Sequence, residues 1–388
     1  MRRNNVVAEE NVIWSEAESF SWAMRKYPLN SIYFYLTEGC NLACRHCWIA
    51  PKYQGDNKSG PVLSFALFRS IINQAKPLGL SGVKLTGGEP FLHPQINEIL
   101  DYIKEQDLRL IIETNGVLAT PEICQKVKTC KRAHVSVSID GVDAETHEWV
   151  RGVKGCLVAA KQGVRNLVAA GINPQIIMTI MRRNKDQIEP MVRLAESLGA
   201  SSVKFNLVQP TARGAQMHEA NETLNIEELV SLGRWVDREL AASTKLRLMY
   251  AHPAAFRSLR RLLSTNSDGC GVCGIFGIIG VLANGSYALC GIGESVPEFV
   301  FGDVQKDRLA DVWQNNAVLK DIRQGLPEKL EGICADCIMK QRCLGSCLAQ
   351  NYYSDKNLWA PNWFCVQARE RNIFPEFRRK SSFDKAGN

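Results

Sequence analysis

The chain has 388 residues, 45% hydrophobic and 22% charged, enough apolar surface for a barrel-sized core and a smaller unit beside it. Its longest apolar run, 274–283, is about half the length a bilayer requires, and Glu9 and Glu10 follow Arg2 and Arg3 where a signal peptide would be apolar. These features exclude a helical membrane span and a secretory signal, predict a cytoplasmic protein with no membrane partner, and leave the formal charge of +7 too dispersed to indicate nucleic acid.

Residues 1–30 read as an N-terminal extension. From there to residue 208, short β-rich runs alternate with amphipathic stretches: strands over 32–36, 83–86, 109–113, 134–139, 175–180 and 202–206, and helices over 65–74, 96–106, 121–129, 157–170 and 187–198. Such alternation predicts right-handed βαβ units and a parallel sheet, so the fold class is α/β, a partial (β/α)6 TIM-like barrel over 31–208. Chemistry in such barrels sits on the loops beyond the C-terminal strand ends. Cys40, Gly87-Gly88-Glu89, Asn115 and Asp140 all fall there. Residues 209–265 read as a helical connection with a helix over 225–242, and 266–371 as a small cysteine-rich domain. Residues 372–388 read as a basic, disordered tail, and the other basic stretch, Arg257 to Arg261, as a solvated face.

Fourteen cysteines in a reducing compartment suit metal better than disulfides. Cys124, Cys130 and Cys156 are scattered and read as small buried hydrophobes. Cys40, Cys44 and Cys47 instead crowd one loop directly after the first strand. A CxxxCxxC loop offers three thiolates to a four-iron cubane and leaves one iron open for another ligand; zinc and plain packing are the competing readings. In Thr86-Gly87-Gly88-Glu89-Pro90, two glycines permit close backbone approach and a carboxylate can accept from an amine, although such a sequence is more often only a tight turn.

Together these loops resemble the radical SAM family. The resemblance implies that Cys40, Cys44 and Cys47 bind a 4Fe-4S cluster whose open iron takes the amine and carboxylate of S-adenosylmethionine. Reductive cleavage of that molecule would yield a 5'-deoxyadenosyl radical for hydrogen abstraction. It further implies SAM contacts from Gly87, Gly88, Glu89 and Pro90, from Ser138 and Asp140 in Ser138-Ile139-Asp140-Gly141, from Arg151 in Trp149-Val150-Arg151-Gly152, and from Thr179, with Asn206 and His46 as weaker candidates. A surface ion pair is the competing reading of Arg151.

The remaining cysteines narrow the case. Cys273-x11-Gly285-x4-Cys290 and Cys334-x2-Cys337-x5-Cys343-x3-Cys347, followed by Cys365, resemble the SPASM domain, with a zinc-ribbon pair as the alternative. The resemblance implies two auxiliary 4Fe-4S clusters, one on Cys270, Cys273, Cys290 and Cys347 and one on Cys334, Cys337, Cys343 and Cys365, three clusters in all. Interleaved ligands would make this domain's fold depend on its metals.

SPASM proteins mostly modify peptides, so the expectation is a ribosomal peptide maturase forming a thioether or other crosslink on a short precursor. The catalytic base is not assigned. A flavodoxin- or ferredoxin-type protein would supply electrons. With only thirty residues before the first strand, a leader sequence would be read by a separate protein or another surface. Three alternatives stand beside this: a sulfatase-maturase-like formylglycine former, disfavoured because Gly291 follows Cys290 where that branch has Asp, with Glu294 the nearest carboxylate; a small-molecule enzyme, as in haem or sugar pathways; and a non-catalytic electron-transfer protein.

Overall fold

The computed structural model describes residues 27–53, 60–263 and 273–380. Strands β1 (Ser31–Tyr35), β2 (Gly82–Thr86), β3 (Arg109–Thr114), β4 (Lys131–Ser138), β5 (Gln175–Ile180) and β6 (Ser202–Leu207) each pair in parallel with the next. All six expected strands are present. Their apolar runs explain why: β5, Gln-Ile-Ile-Met-Thr-Ile, is buried at every position, as a central parallel strand must be.

Helices α1 (Phe65–Ala75), α2 (Ile96–Glu105), α3 (Pro121–Thr129), α4 (Ala144–Arg151), α5 (Cys156–Ala169) and α6 (Ile188–Ser197) lie in the crossovers. In α2 the buried Ile96, Ile99, Leu100 and Ile103 trace one helical stripe. Thr120 caps α3 by accepting from Ile123 N, with Pro121 at the first helical position. Helix α4 was not among the expected elements: Asp143 starts it by accepting from Thr146 N at 2.8 Å, and Gly152, at φ 74°, ends it.

Three expectations need correction. The 209–265 connection is not only helical: after α7 (Arg213–Glu219) and α8 (Ile226–Arg238), β7 (Arg247–Tyr250) joins the sheet parallel to β6. Four residues beginning with an arginine carry too little alternation to be seen without the partner strand. Second, the cysteine-rich segment adds strands to the barrel's own sheet. β8 (Ile278–Val281) pairs in parallel with β1, and β9 (Ser286–Ala288) and β10 (Val300–Asp303) follow antiparallel. The result is a ten-stranded sheet in the order β10-β9-β8-β1-β2-β3-β4-β5-β6-β7, whose outer strands do not pair with each other. Third, residues 372–380 are packed rather than disordered. Phe374 and Arg378 are buried, Arg379 bridges to the Cys337 backbone, and its Nε lies 2.8 Å from Asp336 Oδ2, so the basic charge has a local partner. The rest of the tail, 381–388, and residues 1–26 of the extension lie outside the described residues. No described helix is long and apolar enough to cross a membrane.

Candidate active site and cluster-binding cavities

The cysteine loop is fixed by backbone contact with two other loops at the same sheet end. Gly88 N donates to Thr37 O at 2.8 Å and Glu89 N donates to Gly39 O at 3.0 Å. The approach requires glycine: a Cβ on Gly88 would stand 1.9 Å from Gly39 O, and Gly87 holds φ at 118° with its would-be Cβ 2.9 Å from Thr37 O. From the other side, Ala43 N donates to Arg151 O at 3.0 Å and Arg45 N to Val150 O at 2.9 Å, so the end of α4 clamps the loop between its first and third cysteines. Arg213 on α7 closes the frame, donating from Nη1 to Cys44 O at 3.2 Å and from Nη2 to Pro51 O at 2.9 Å.

Arg151 is not a surface residue. It is 7% exposed, lies 2.6 Å through Nη2 from Asp140 Oδ2, and donates from Nη1 to Cys44 Sγ at 3.5 Å. Asp140, fully buried, accepts from Thr179 N at 2.7 Å through its other oxygen. Burial pushes the Asp140 carboxyl up, but Arg151, His46 and the Thr179 amide outweigh it and hold the group below its ordinary value. Asp140 therefore orients Arg151 from behind and does not itself line the cavity.

Glu89 is likewise turned inward, at 1% exposure. Its Oε1 accepts from Thr114 Oγ1 at 2.7 Å and Phe91 N at 3.1 Å, and Oε2 accepts from Asn115 N at 2.9 Å. These bonds staple the β2 loop to the β3 loop and leave about one acceptor position on the carboxylate. Burial raises its pKa to about 7, against the opposing pull of those donors. Pro90, buried, opens the turn after it.

A cavity of about 370 Å³ opens at this sheet end. Cys40, Cys44, Cys47, Gly87, Gly88 and Glu89 line it, as do Ser138, Arg151, Thr179, Asn206, Asn115 and His46. The structure thus brings together every expected SAM-contact residue except Asp140 and Pro90, which lie behind its wall. Three buried polar atoms on the wall, His46 Nδ1, Arg151 Nε and Thr211 Oγ1, have no hydrogen-bond partner. Cys40 Sγ accepts from Leu42 N at 3.4 Å. Burial raises the Cys40 thiol far above its usual range and the Cys47 thiol to about 11, so these two are protonated until a cation draws the protons off. Thiols with aimed N–H donors beside unpartnered polar atoms fit a thiolate-bound iron–sulfur cluster and a polar, zwitterionic ligand.

Two further thiol sets are present. Cys290 and Cys347 line the same cavity, and Cys273 and Cys347 line a second of about 950 Å³ along the open side of the sheet. Cys270 lies outside the described residues. Cys334, Cys337, Cys343 and Cys365 line one common pocket walled by Leu330, Ile333 and Phe374. Cys334 Sγ accepts from Asn362 N and Cys337 Sγ from Met339 N, both at 3.4 Å. None of the described cysteines is in a disulfide. At position 291 a Cβ would stand 2.4 Å from the Tyr35 ring, which leaves no room for an aspartate, and Glu294 is not a wall of the trio's cavity.

Sequence reading missed several wall residues. Lys84, Glu113 and Lys204 form a charged layer inside the barrel one pleat below its mouth, where alternation in a strand normally signals solvent. Arg213 gave no signal because it acts 169 residues away in sequence. Cys156, read as core, packs with Cys40, Leu42 and Cys44 but is not a wall of the cavity. The Arg257 to Arg261 stretch is not simply solvated: Arg257 and Arg261 line the larger cavity, and Arg261 Nη1 lies 3.1 Å from the buried Asp237.

The profile of the Radical SAM superfamily matches residues 34–195, and that of SPASM, an iron-sulfur cluster-binding domain, matches residues 270–338. The chain is 30% identical to AdoMet-dependent heme synthase of Methanosarcina barkeri, over 85% of this chain and 94% of that protein. It is 29% identical to mycofactocin maturase MftC of Mycobacterium tuberculosis, over 87% and 85%. Its fold is similar to that of Streptococcus suis SuiB bound to precursor peptide SuiA, with a TM-score of 0.70, 17% identity and coverage of 93% and 84%.

Proposed function

Because the chain belongs to the radical SAM superfamily and carries a SPASM domain, we propose that this enzyme oxidatively modifies a peptide, as a ribosomal peptide maturase. The carrying observation is the chamber. The 370 Å³ cavity at the cysteine trio and the 950 Å³ cavity at the sheet's open side share Lys84, Lys204, Asn206, Gln209, Cys347 and Gln350 as walls, so an extended segment has a path from outside to the thiols. The names of the relative MftC, a maturase, and of the SuiB structure, which holds a precursor peptide, support that substrate class.

In this reading Cys40, Cys44 and Cys47 hold one 4Fe-4S cluster; Cys270, Cys273, Cys290 and Cys347 a second; and Cys334, Cys337, Cys343 and Cys365 a third. When bound, the open-site cluster and S-adenosylmethionine supply a one-electron cleavage that begins hydrogen abstraction from the substrate. The chain's own residues prepare that event. Arg151, held by Asp140 and lining the cavity, would supply the positive charge that pairs with the SAM carboxylate. Glu89 would offer its remaining acceptor position to an N–H of the SAM amine, while its bonds from Thr114, Phe91 and Asn115 oppose the burial that disfavours the ionised carboxylate. Ser138, Thr179 and Asn206 line the route, and Cys273, Cys290 and Cys347 line the chamber, which supports an auxiliary cluster there as acceptor of an electron leaving the substrate.

A second reading, a small-molecule enzyme, is favoured by the match to a heme synthase over 94% of that protein's length. Anaerobic reconstitution with SAM, reductant and short peptides encoded beside the gene tests the choice. The proposal predicts 5'-deoxyadenosine together with a peptide that has lost hydrogen. SAM cleavage with every peptide unchanged would overturn the peptide assignment.

A further inference from the structure

The charged layer inside the barrel is unbalanced. Lys84 on β2 and Lys204 on β6 line both cavities, whereas the carboxylates that line them are Glu89, already held at the mouth by Thr114, Phe91 and Asn115, and, within the charged layer, Glu113 on β3. That carboxylate is already engaged. Its Oε1 lies 2.6 Å from Lys84 Nζ, which also stands 4.8 Å from the centroid of the Tyr33 ring. Burial pushes the Glu113 carboxyl up and Lys84 more than offsets it, with smaller pulls from Lys204 and His134, while burial pulls Lys84 down but Glu113 and Tyr33 hold it above its ordinary value; Lys84 is the cation in direct contact with the carboxylate.

Lys204 is left over. Among the described residues it makes no hydrogen bond or ion pair, although it is partly buried where the two cavities meet. The other cations of the larger cavity are committed: Lys84 to Glu113, Arg261 to Asp237 and Arg257 to His252 O at 3.3 Å, and Arg247 is not without a partner either. The charges acting on Lys204 are those of Glu113 and Lys84, not those of the cysteine sets. An ammonium withdrawn from water without a partner is costly, and a bound anion removes that cost.

We propose that Lys204 anchors a carboxylate of the substrate, an inference that rests on the chamber being the substrate site. One residue of β6, Phe205, separates Lys204 from Asn206 at the mouth, about 6.6 Å along the strand. A carboxylate seated on Lys204 therefore holds the substrate in the cavity that Thr179, Asn206 and the cysteine trio also line. Both a peptide's carboxylate and a small dicarboxylic acid have this chemistry.

The test uses the anaerobic holoenzyme with SAM and isothermal titration of three probes: glycylglycyltyrosine, its C-terminal amide, and glutarate. The tripeptide acid is expected to bind about tenfold or more tighter than the amide, as a charge-assisted hydrogen bond gives. Lys204→Met should abolish the preference and Lys204→Arg should keep it, with iron content unchanged and melting temperature no lower than wild type in both. Glutarate binding without tripeptide binding, lost in Lys204→Met, assigns the anchor to a small-molecule acid. Equal binding of acid and amide, no binding of any probe, or a preference that survives Lys204→Met overturns the proposal. Formation of 5'-deoxyadenosine by the same samples reads the parent function separately: an acid preference without SAM cleavage would sink that function and leave the anchor standing.

Discussion

Replacing Gly88 with alanine perturbs the contact that sets the spacing between the cysteine loop and the Gly87-Gly88-Glu89 loop. The new Cβ would lie 1.9 Å from Gly39 O and 2.5 Å from Gly39 C, both backbone atoms that no rotamer change can move aside. Reaching ordinary contact needs a displacement of about 1.5 Å. That movement breaks the Gly88 N to Thr37 O and Glu89 N to Gly39 O bonds, at about 1 kcal/mol each, on top of about 1–3 kcal/mol for the overpacking. A displacement of this size between loops that grip the same ligand costs about 100-fold in rate. The assay is 5'-deoxyadenosine production by reconstituted protein under reduction, with iron content measured alongside. Gly155→Ala is the control: it also holds positive φ, at 78°, but nothing lies within 4 Å of its would-be Cβ, so it should cost only about 1 kcal/mol of stability and no cleavage. SAM cleavage by Gly88→Ala within threefold of the wild type would refute the loop-docking argument.

Asp140→Asn removes the partner of a buried arginine and should destabilise by about 3–5 kcal/mol at neutral pH. Because the folded Asp140 pKa is depressed, its contribution is present above the unfolded value and lost as pH falls through the folded one, so wild-type and variant melting temperatures should converge on acidification. Glu89 has the opposite sign in cofactor-free protein. Its pKa rises from 4.5 to about 7, so its contribution is full below pH 4.5 and gone above about pH 7, a change of about 3 kcal/mol that Glu89→Gln should remove; parallel stability curves would contradict this. Cys337→Ala should retain part of the SAM cleavage and lose modified product, measured by chromatography and mass spectrometry on the same reaction.

The legible parts of this protein were those encoded within a few residues of chain. Cys40, Cys44 and Cys47 announce themselves by spacing, and Gly87-Gly88-Glu89 by composition, while the apolar runs of β1 to β6 are long enough to show their period. β7 and β8 were missed because Arg247-Leu-Met-Tyr and Ile278-Ile-Gly-Val become strands only through β6 and β1. Roles were harder than positions. Glu89 and Asp140 were placed at the right sheet end, but their donors, Thr114, Asn115 and Arg151, come from other loops, so the inward turn of both carboxylates was not visible. Lys84, Glu113 and Lys204 look like solvent-facing positions in single strands and become a lumen only when the sheet curls.

The central claim is that the iron held by Cys40, Cys44 and Cys47 keeps one site open for S-adenosylmethionine. Cys156 is the thiol placed to contradict it, since it packs directly behind Cys40 and Cys44. Electron paramagnetic resonance of the reduced cluster, in a variant lacking the auxiliary cysteines, should change on addition of SAM and be the same in wild type and Cys156→Ala. A spectrum indifferent to SAM and altered by Cys156→Ala would mean that the protein closes the cluster itself.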